Sequence, residues 1–253
     1  VLMRVFRDNL GIPRLSRDDV ERVAEHFLST LARYALNVDL PLPTNLGYIL
    51  RDLKEGSFCT FSHDGHLGYK PNGEPCLGTY SFSRQHLTIS KDLERTDPRY
   101  VFTCAHEIGH FFLHSKVQPQ AFQEQGEVEI RDSARDFVVI RSDSVPRTIM
   151  EWQANRFAAS ILMPRITVQT VLAKVQRDLG ISRRGKIWLD HQKHIKRDFY
   201  RTVQGVAQHY NVSQAVVQMR LRELNLIDTS STYGLQRIYD SDLETALRQL
   251  YQV

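Results

Sequence analysis

The stretch CAHEIGHFFLH, residues 104–114, constrains the fold more than any other part of this chain. It contains His106-Glu107-Ile108-Gly109-His110, two histidines four apart with a glutamate beside the first. On a helix, residues i and i+4 share one face a turn apart. Both imidazoles can then reach one Zn²⁺ at about 2.0–2.1 Å. Glu107 is rotated by about 100° from His106, near an ion but not bound to it. From there it can take a proton from an attacking water and later give it to a leaving amine. A catalytic zinc also needs a third protein ligand and an open position. The chain must therefore bring a second element close against this helix. The five-residue pattern also arises by chance, as three polar positions on an ordinary helix. Phe111-Phe112-Leu113 speaks for a site, because it offers an apolar surface for the other side of the same helix.

His114 is four residues further on, yet it lies about 12 Å along the axis from His106. The two cannot share an ion with His110 between them, so His114 is expected to neighbour the site rather than bind in it. Glu151 is the better third ligand. It heads EWQANRFAASILMP, where Ala154, Ala158 and Ala159 are small enough for close helix contact. Asn155 shares its face by i, i+4 spacing and is expected beside it. Taken alone, Glu151 would read as a surface residue.

The rest of the chain predicts an α+β fold. Ser16 caps a helix from about Asp18 to Leu36, which DLPLPTN breaks. A short helix follows over 46–53. Residues 57–90 are rich in Thr, Tyr and Phe and divided by HDG and PNGEP, which predicts short antiparallel strands. Asp97-Pro98 suits the first turn of the histidine helix. Residues 116–148 have no period beyond one apolar run, DFVVI, and read as a loop with one strand. TIMEWQANRFAASILMP is a helix ended by Pro164. Helices recur over 168–179 and 191–224, separated by the basic turn GISRRGK. Two regions are expected, 1–164 and 165–253.

Charge divides along the same line. Residues 1–164 hold 19 Lys+Arg against 21 Asp+Glu, and residues 165–253 hold 14 against 8. The basic third points to an anionic partner, with a solvated basic face as the plain alternative. Lys186, Lys193, Lys196, Arg197 and Arg201 are the candidate phosphate contacts. Three widely spaced cysteines suggest no disulfide framework and a reducing compartment. With no apolar run near the roughly 20 residues of a membrane span, and no signal peptide, a cytoplasmic protein without a membrane partner is expected.

FTCAHEIGHFFLH followed by EWQANRFAASILMP resembles the ImmA/IrrE family of zinc metallopeptidases. The matches run through Phe102, Thr103, Ala105, His106, Glu107, Gly109, His110, Leu113 and His114, then Glu151, Ala154, Asn155, Phe157, Ala158, Leu162, Met163 and Pro164. The chain departs from the pattern at Tyr100-Val101, where relatives often have arginine, and at Gln153, where many carry a second glutamate. Glu151 is then the carboxylate left for the ligand role. The resemblance implies a zincin-like metallopeptidase domain with a small sheet whose edge strand lies beside the metal. A peptide substrate would add to that edge as a strand. Residues 78–90, GTYSFSRQHLTIS, are the expected edge strand, with an ordinary core strand as the alternative.

TVQGVAQHYNVSQAVVQMRLRELNLID reads as helix, turn, helix, within a helix-turn-helix-like segment over 201–228. Asn211 takes a left-handed cap and Ser213 caps the second helix. The segment is similar to one that follows the peptidase in ImmA/IrrE relatives. A DNA-reading role would use Ser213, Gln214 and Gln218, with Arg220 and Arg222 further along; packing is the favoured alternative. Cys76, just before the expected edge strand, could reach the metal as an inhibitory fourth ligand and displace water. Cys104 points to another face of its helix, and Cys59 reads as a strand residue. For each thiol the bland reading is a buried, idle group.

The function expected from the resemblance is a Zn²⁺-dependent endopeptidase. It would cut a helix-turn-helix (XRE-type) repressor and so derepress stress, mobile-element or phage-defence genes. Single-stranded DNA is a possible activator, as in a defence-associated, CapP-like branch. The alternative is a DNA-binding regulator that keeps a peptidase fold for partner binding.

Overall fold

The computed structural model describes residues 6–31, 43–70, 73–118, 129–132, 146–190 and 192–229. The chain divides into two compact units. One is Val1–Arg33 with Asn45–Leu162, and the other is Tyr34–Thr44 with Met163–Val253.

In the first unit, α1 spans Arg17–Leu31 and α2 spans Leu46–Glu55. Ser16 opens α1 reciprocally. Its hydroxyl accepts from the Asp19 amide at 3.2 Å, while its own amide donates to the Asp19 carboxylate at 2.9 Å. Strands β1 (Thr60–Gly65), β2 (Gly78–Ser81) and β3 (His86–Ser90) follow. Helix α3 runs Pro98–His114, strand β4 Glu129–Asp132 and helix α4 Pro146–Leu162.

The sheet order is β1-β3-β2-β4, with β1 parallel to β3 and both other pairs antiparallel. The α+β zincin-like architecture stands, but the sheet is mixed rather than antiparallel. The expected edge strand over 78–90 is also corrected. That segment is a hairpin whose two strands are both interior, and among the described residues β1 and β4 hold the edges. The hairpin turn lacks Gly, Pro and Asn. Gln85 takes a left-handed φ of 49° and its amide donates to the Phe82 carbonyl at 2.9 Å. A side-chain hydrogen bond thus does what turn residues usually do. The run DFVVI lies outside the described residues.

Helix α3 sits between the sheet and the other helices. Asp97 caps it by accepting from the Arg99 amide at 2.8 Å, and Pro98 fills the first turn. On one side Phe111 meets Tyr80 of β2, at 6.2 Å between ring centroids. On the other, Phe112 meets Phe27 of α1 at 5.0 Å and Phe157 of α4 at 5.7 Å. Gly109 lets α3 come close to α4. A Cβ there would stand 3.2 Å from the Ala154 Cα and carbonyl oxygen. Ala154 thus allows the close contact expected of it. From Met150 onward α4 is buried all round, as befits a helix through the middle of a domain.

In the second unit, α5 spans Arg165–Asp178, β5 Ile187–Trp188, α6 Lys193–Tyr210, α7 Gln214–Glu223 and β6 Ile227–Asp228. Strands β5 and β6 pair in parallel. The α6–α7 turn forms as expected: Asn211 adopts φ 52°, ψ 50°, and Ser213 accepts from the Val216 amide at 3.3 Å. Tyr210 and Thr167 share a hydroxyl hydrogen bond at 2.9 Å, tying α6 to α5. Among the described residues no helix is long and apolar enough to cross a membrane.

Candidate metal centre

Two helices build the site. Helix α3 carries His106, Glu107 and His110, each with no solvent exposure, and α4 carries Glu151, 2% exposed. Their donor atoms converge. His106 Nε2 lies 2.9 Å from His110 Nε2. Glu151 Oε2 lies 3.3 Å from His106 Nε2 and 3.6 Å from His110 Nε2. A tetrahedral ion with bonds of about 2.0–2.1 Å holds its donors roughly 3.3–3.4 Å apart, and the three separations bracket that value.

The chemistry of the donor set fits a cation. Among the described residues, neither oxygen of the buried Glu151 carboxylate has a hydrogen-bond donor. The Arg147 Nε stands 3.8 Å from its Oε1, beyond hydrogen-bond distance. A buried carboxylate facing two imidazole nitrogens is costly unless a cation is shared among them. Two histidines and one carboxylate are a catalytic zinc set. Among the described residues, His106, His110 and Glu151 form the one group of three or more His, Cys, Asp or Glu placed to hold an ion.

The Glu107 carboxylate lies against β2 and is not one of the three converging donors. A Cβ on Gly78 would fall on the Glu107 carboxylate and crowd the Thr103 methyl. The glycine thus makes room for the carboxylate where helix and sheet meet. A glycine at the head of a strand is the sequence signal for such an approach, though nothing in the sequence says what it approaches.

His114 is fully buried and does not join the donors. Its Nδ1 lies 3.1 Å from His110 Nδ1 and its Nε2 lies 2.9 Å from the Gln153 side-chain oxygen. Burial, and then the neighbouring His110, hold its pKa well below the usual histidine range. Asn155 is buried one turn beyond Glu151, as its spacing predicts. Cys76 is buried, but its thiol donates to the Gly78 carbonyl at 3.3 Å and is not part of the converging group. Cys59 and Cys104 are buried thiols pushed up to about 12 by desolvation.

Helix α7 is mostly buried. Gln218 is 6% exposed and Arg220 1%, and the Arg220 Nε donates to the Met163 carbonyl at 3.0 Å. These two candidate base readers are packed instead. Ser213 is used as a cap, and Gln214 is exposed. Lys193, Lys196, Arg197 and Arg201 are exposed on α6, while Lys186 pairs with Asp228 at 3.1 Å.

A crossing of two helices that presents two histidines and a glutamate, above a small mixed sheet, defines a zincin-like metallopeptidase domain. The Peptidase_M78 model, described as the IrrE N-terminal-like domain, matches residues 78–222, and the chain belongs to that family. No curated protein matches the chain. Among solved structures, a Mycobacterium tuberculosis transcriptional regulator is similar at 12% identity and a TM-score of 0.46. The match covers 81% of this chain and 46% of that one, so the chain spans about half the regulator's length.

Proposed function

We propose that the protein is a zinc-dependent endopeptidase whose substrate is a helix-turn-helix transcriptional repressor, cut to derepress stress, mobile-element or phage-defence genes. The observation that carries the peptidase reading is the convergence of His106, His110 and Glu151, with Glu107 next to His106 on the same helix. When bound, a zinc ion supplies Lewis acidity to the carbonyl under attack and to the attacking water. Glu107 takes a proton from that water as its oxygen bonds to the carbonyl carbon. The same carboxyl returns the proton to the amide nitrogen as the C–N bond breaks. Burial of the site excludes bulk water and strengthens these charges.

The repressor as substrate rests on the family resemblance. Activation by single-stranded DNA is supported by α6, where Lys193, Lys196, Arg197 and Arg201 are exposed at i, i+3, i+4 and i+8 with Tyr200, 47% exposed, between them. Basic residues around an aromatic ring suit a flexible anionic strand. The binding-only alternative would leave the buried donor set without a purpose.

The test is cleavage of purified XRE-type repressors by the zinc-loaded chain, with and without short single-stranded DNA. The native protein should cut one of them, and Glu107→Gln should lose about 10²–10⁴-fold in rate while binding the same repressor. Equal activity of the two, or binding with no cutting by either, would overturn the peptidase reading.

A further inference from the structure

We infer that His114 and Gln153 form a one-directional hydrogen-bond relay that fixes the tautomer of His110, making both of them positioning residues for the metal centre. The inference deepens the zinc-peptidase reading and rests on it for its purpose, though the direction of the relay follows from geometry alone.

The relay is anchored at Pro13. The Gln153 amide nitrogen donates to the Pro13 carbonyl at 2.6 Å. A carbonyl oxygen only accepts, so the amide cannot be turned round without setting two oxygens against each other. The Gln153 oxygen is therefore the end that faces His114 Nε2, at 2.9 Å. It accepts there, so the His114 proton sits on Nε2. In a neutral imidazole the His114 Nδ1 is then a lone pair, and it lies 3.1 Å from His110 Nδ1. For that contact to be a hydrogen bond, His110 must carry its proton on Nδ1. His110 Nε2 is then the bare nitrogen, and it is the one 2.9 Å from His106 Nε2 and 3.6 Å from Glu151 Oε2.

Each link is buried. His110 and His114 have no exposure, and Gln153 is 1% exposed, so water does not compete for the direction. The anchor is itself held. Pro13 bridges Arg7 in the N-terminal segment, and Arg7 donates to the Gly11 carbonyl at 2.7 Å and the Leu113 carbonyl at 3.1 Å. A ligating histidine usually gives its other N–H to a carboxylate, carbonyl or water. Here a second imidazole takes that part, and a neutral amide sets its orientation.

The relay fits this chain's departure at Gln153. A glutamate there could accept from His114 equally well, but it could not donate to Pro13. The amide does both, and it adds no negative charge beside Glu151.

The experiment is nitrogen-15 NMR of the histidine side chains in the full chain, metal-free and zinc-loaded, joined to zinc affinity by chelator competition. His114 should report the Nε2–H tautomer in both forms, and His110 the Nδ1–H tautomer in the zinc form. Gln153→Leu, which removes both ends of the amide, should weaken zinc about 10–100-fold. Gln153→Glu, which keeps the acceptor, should retain affinity within a few-fold of native even where its melting temperature falls. A His114 proton on Nδ1, or equal zinc affinity in native and Gln153→Leu, would overturn the relay. A native chain that binds no zinc would overturn the peptidase reading instead, and the metal-free His114 signal would still judge the direction.

Discussion

Gly78 of β2 lies directly against the Glu107 carboxylate, so a single methyl at residue 78 would displace it. The two residues sit on different elements, and the contact fixes how far the sheet stands from the metal helix. Gly78→Ala should therefore push Glu107 aside and leave the donors of α3 and α4 in place. Cleavage should fall on the order of 10²-fold, the cost of about 1 Å of misplacement, with zinc affinity unchanged. Steady-state kinetics beside chelator competition checks this; full activity would show that Glu107 is not held by that contact.

Cys76 is proposed as an inhibitory ligand, although its thiol here donates to the Gly78 carbonyl. To bind an ion it would have to leave that carbonyl, which belongs to the residue packed on Glu107. The proposal predicts a higher basal cleavage rate for Cys76→Ser without added activator. An unchanged basal rate in the same assay would remove Cys76 from regulation.

Much of this was legible in the sequence because it is local. The histidine spacing, the Asp97-Pro98 helix start, the small residues of α4 and the Asn211 turn are each written within a few residues. The hairpin over 78–90 was hidden because Gln85 makes its turn through a side-chain hydrogen bond rather than a turn-forming residue type. Strand β4 carries no alternating apolar signal, and its pairing with β2 is a backbone ladder. The Gln153–Pro13 contact joins residues 140 apart. Only the folded chain shows it, and Gln153 in the sequence was merely a missing glutamate.

Helix α7 should behave as a packing element. Arg220 is buried and bonded to the Met163 carbonyl. Arg220→Ala should destabilise the protein by about 1.5–3 kcal/mol, the usual cost of losing a hydrogen bond to a charged group. Urea unfolding gives the number. A variant of native stability that loses sequence-specific DNA binding would restore α7 as a reading helix.

The exposed basic face of α6 should govern any response to single-stranded DNA. Replacing Lys193, Lys196, Arg197 and Arg201 with Gln should abolish the DNA-stimulated part of cleavage and leave the basal rate. Native binding should weaken with salt, by a slope of about −0.7 per phosphate contact for single strands. A fluorescence titration at several salt concentrations reads both, and a variant stimulated like native would move the DNA contact elsewhere.

The central claim is that α3 and α4 together hold a metal, and zinc binding to the native chain and to Glu151→Ala tests it most directly. Equilibrium dialysis should give one zinc per native chain. The variant, left with two imidazoles, should bind at least about tenfold more weakly, with a ligand lost rather than a supporting group. A native chain that takes up no zinc, or a Glu151→Ala chain that holds it as tightly, would contradict the account.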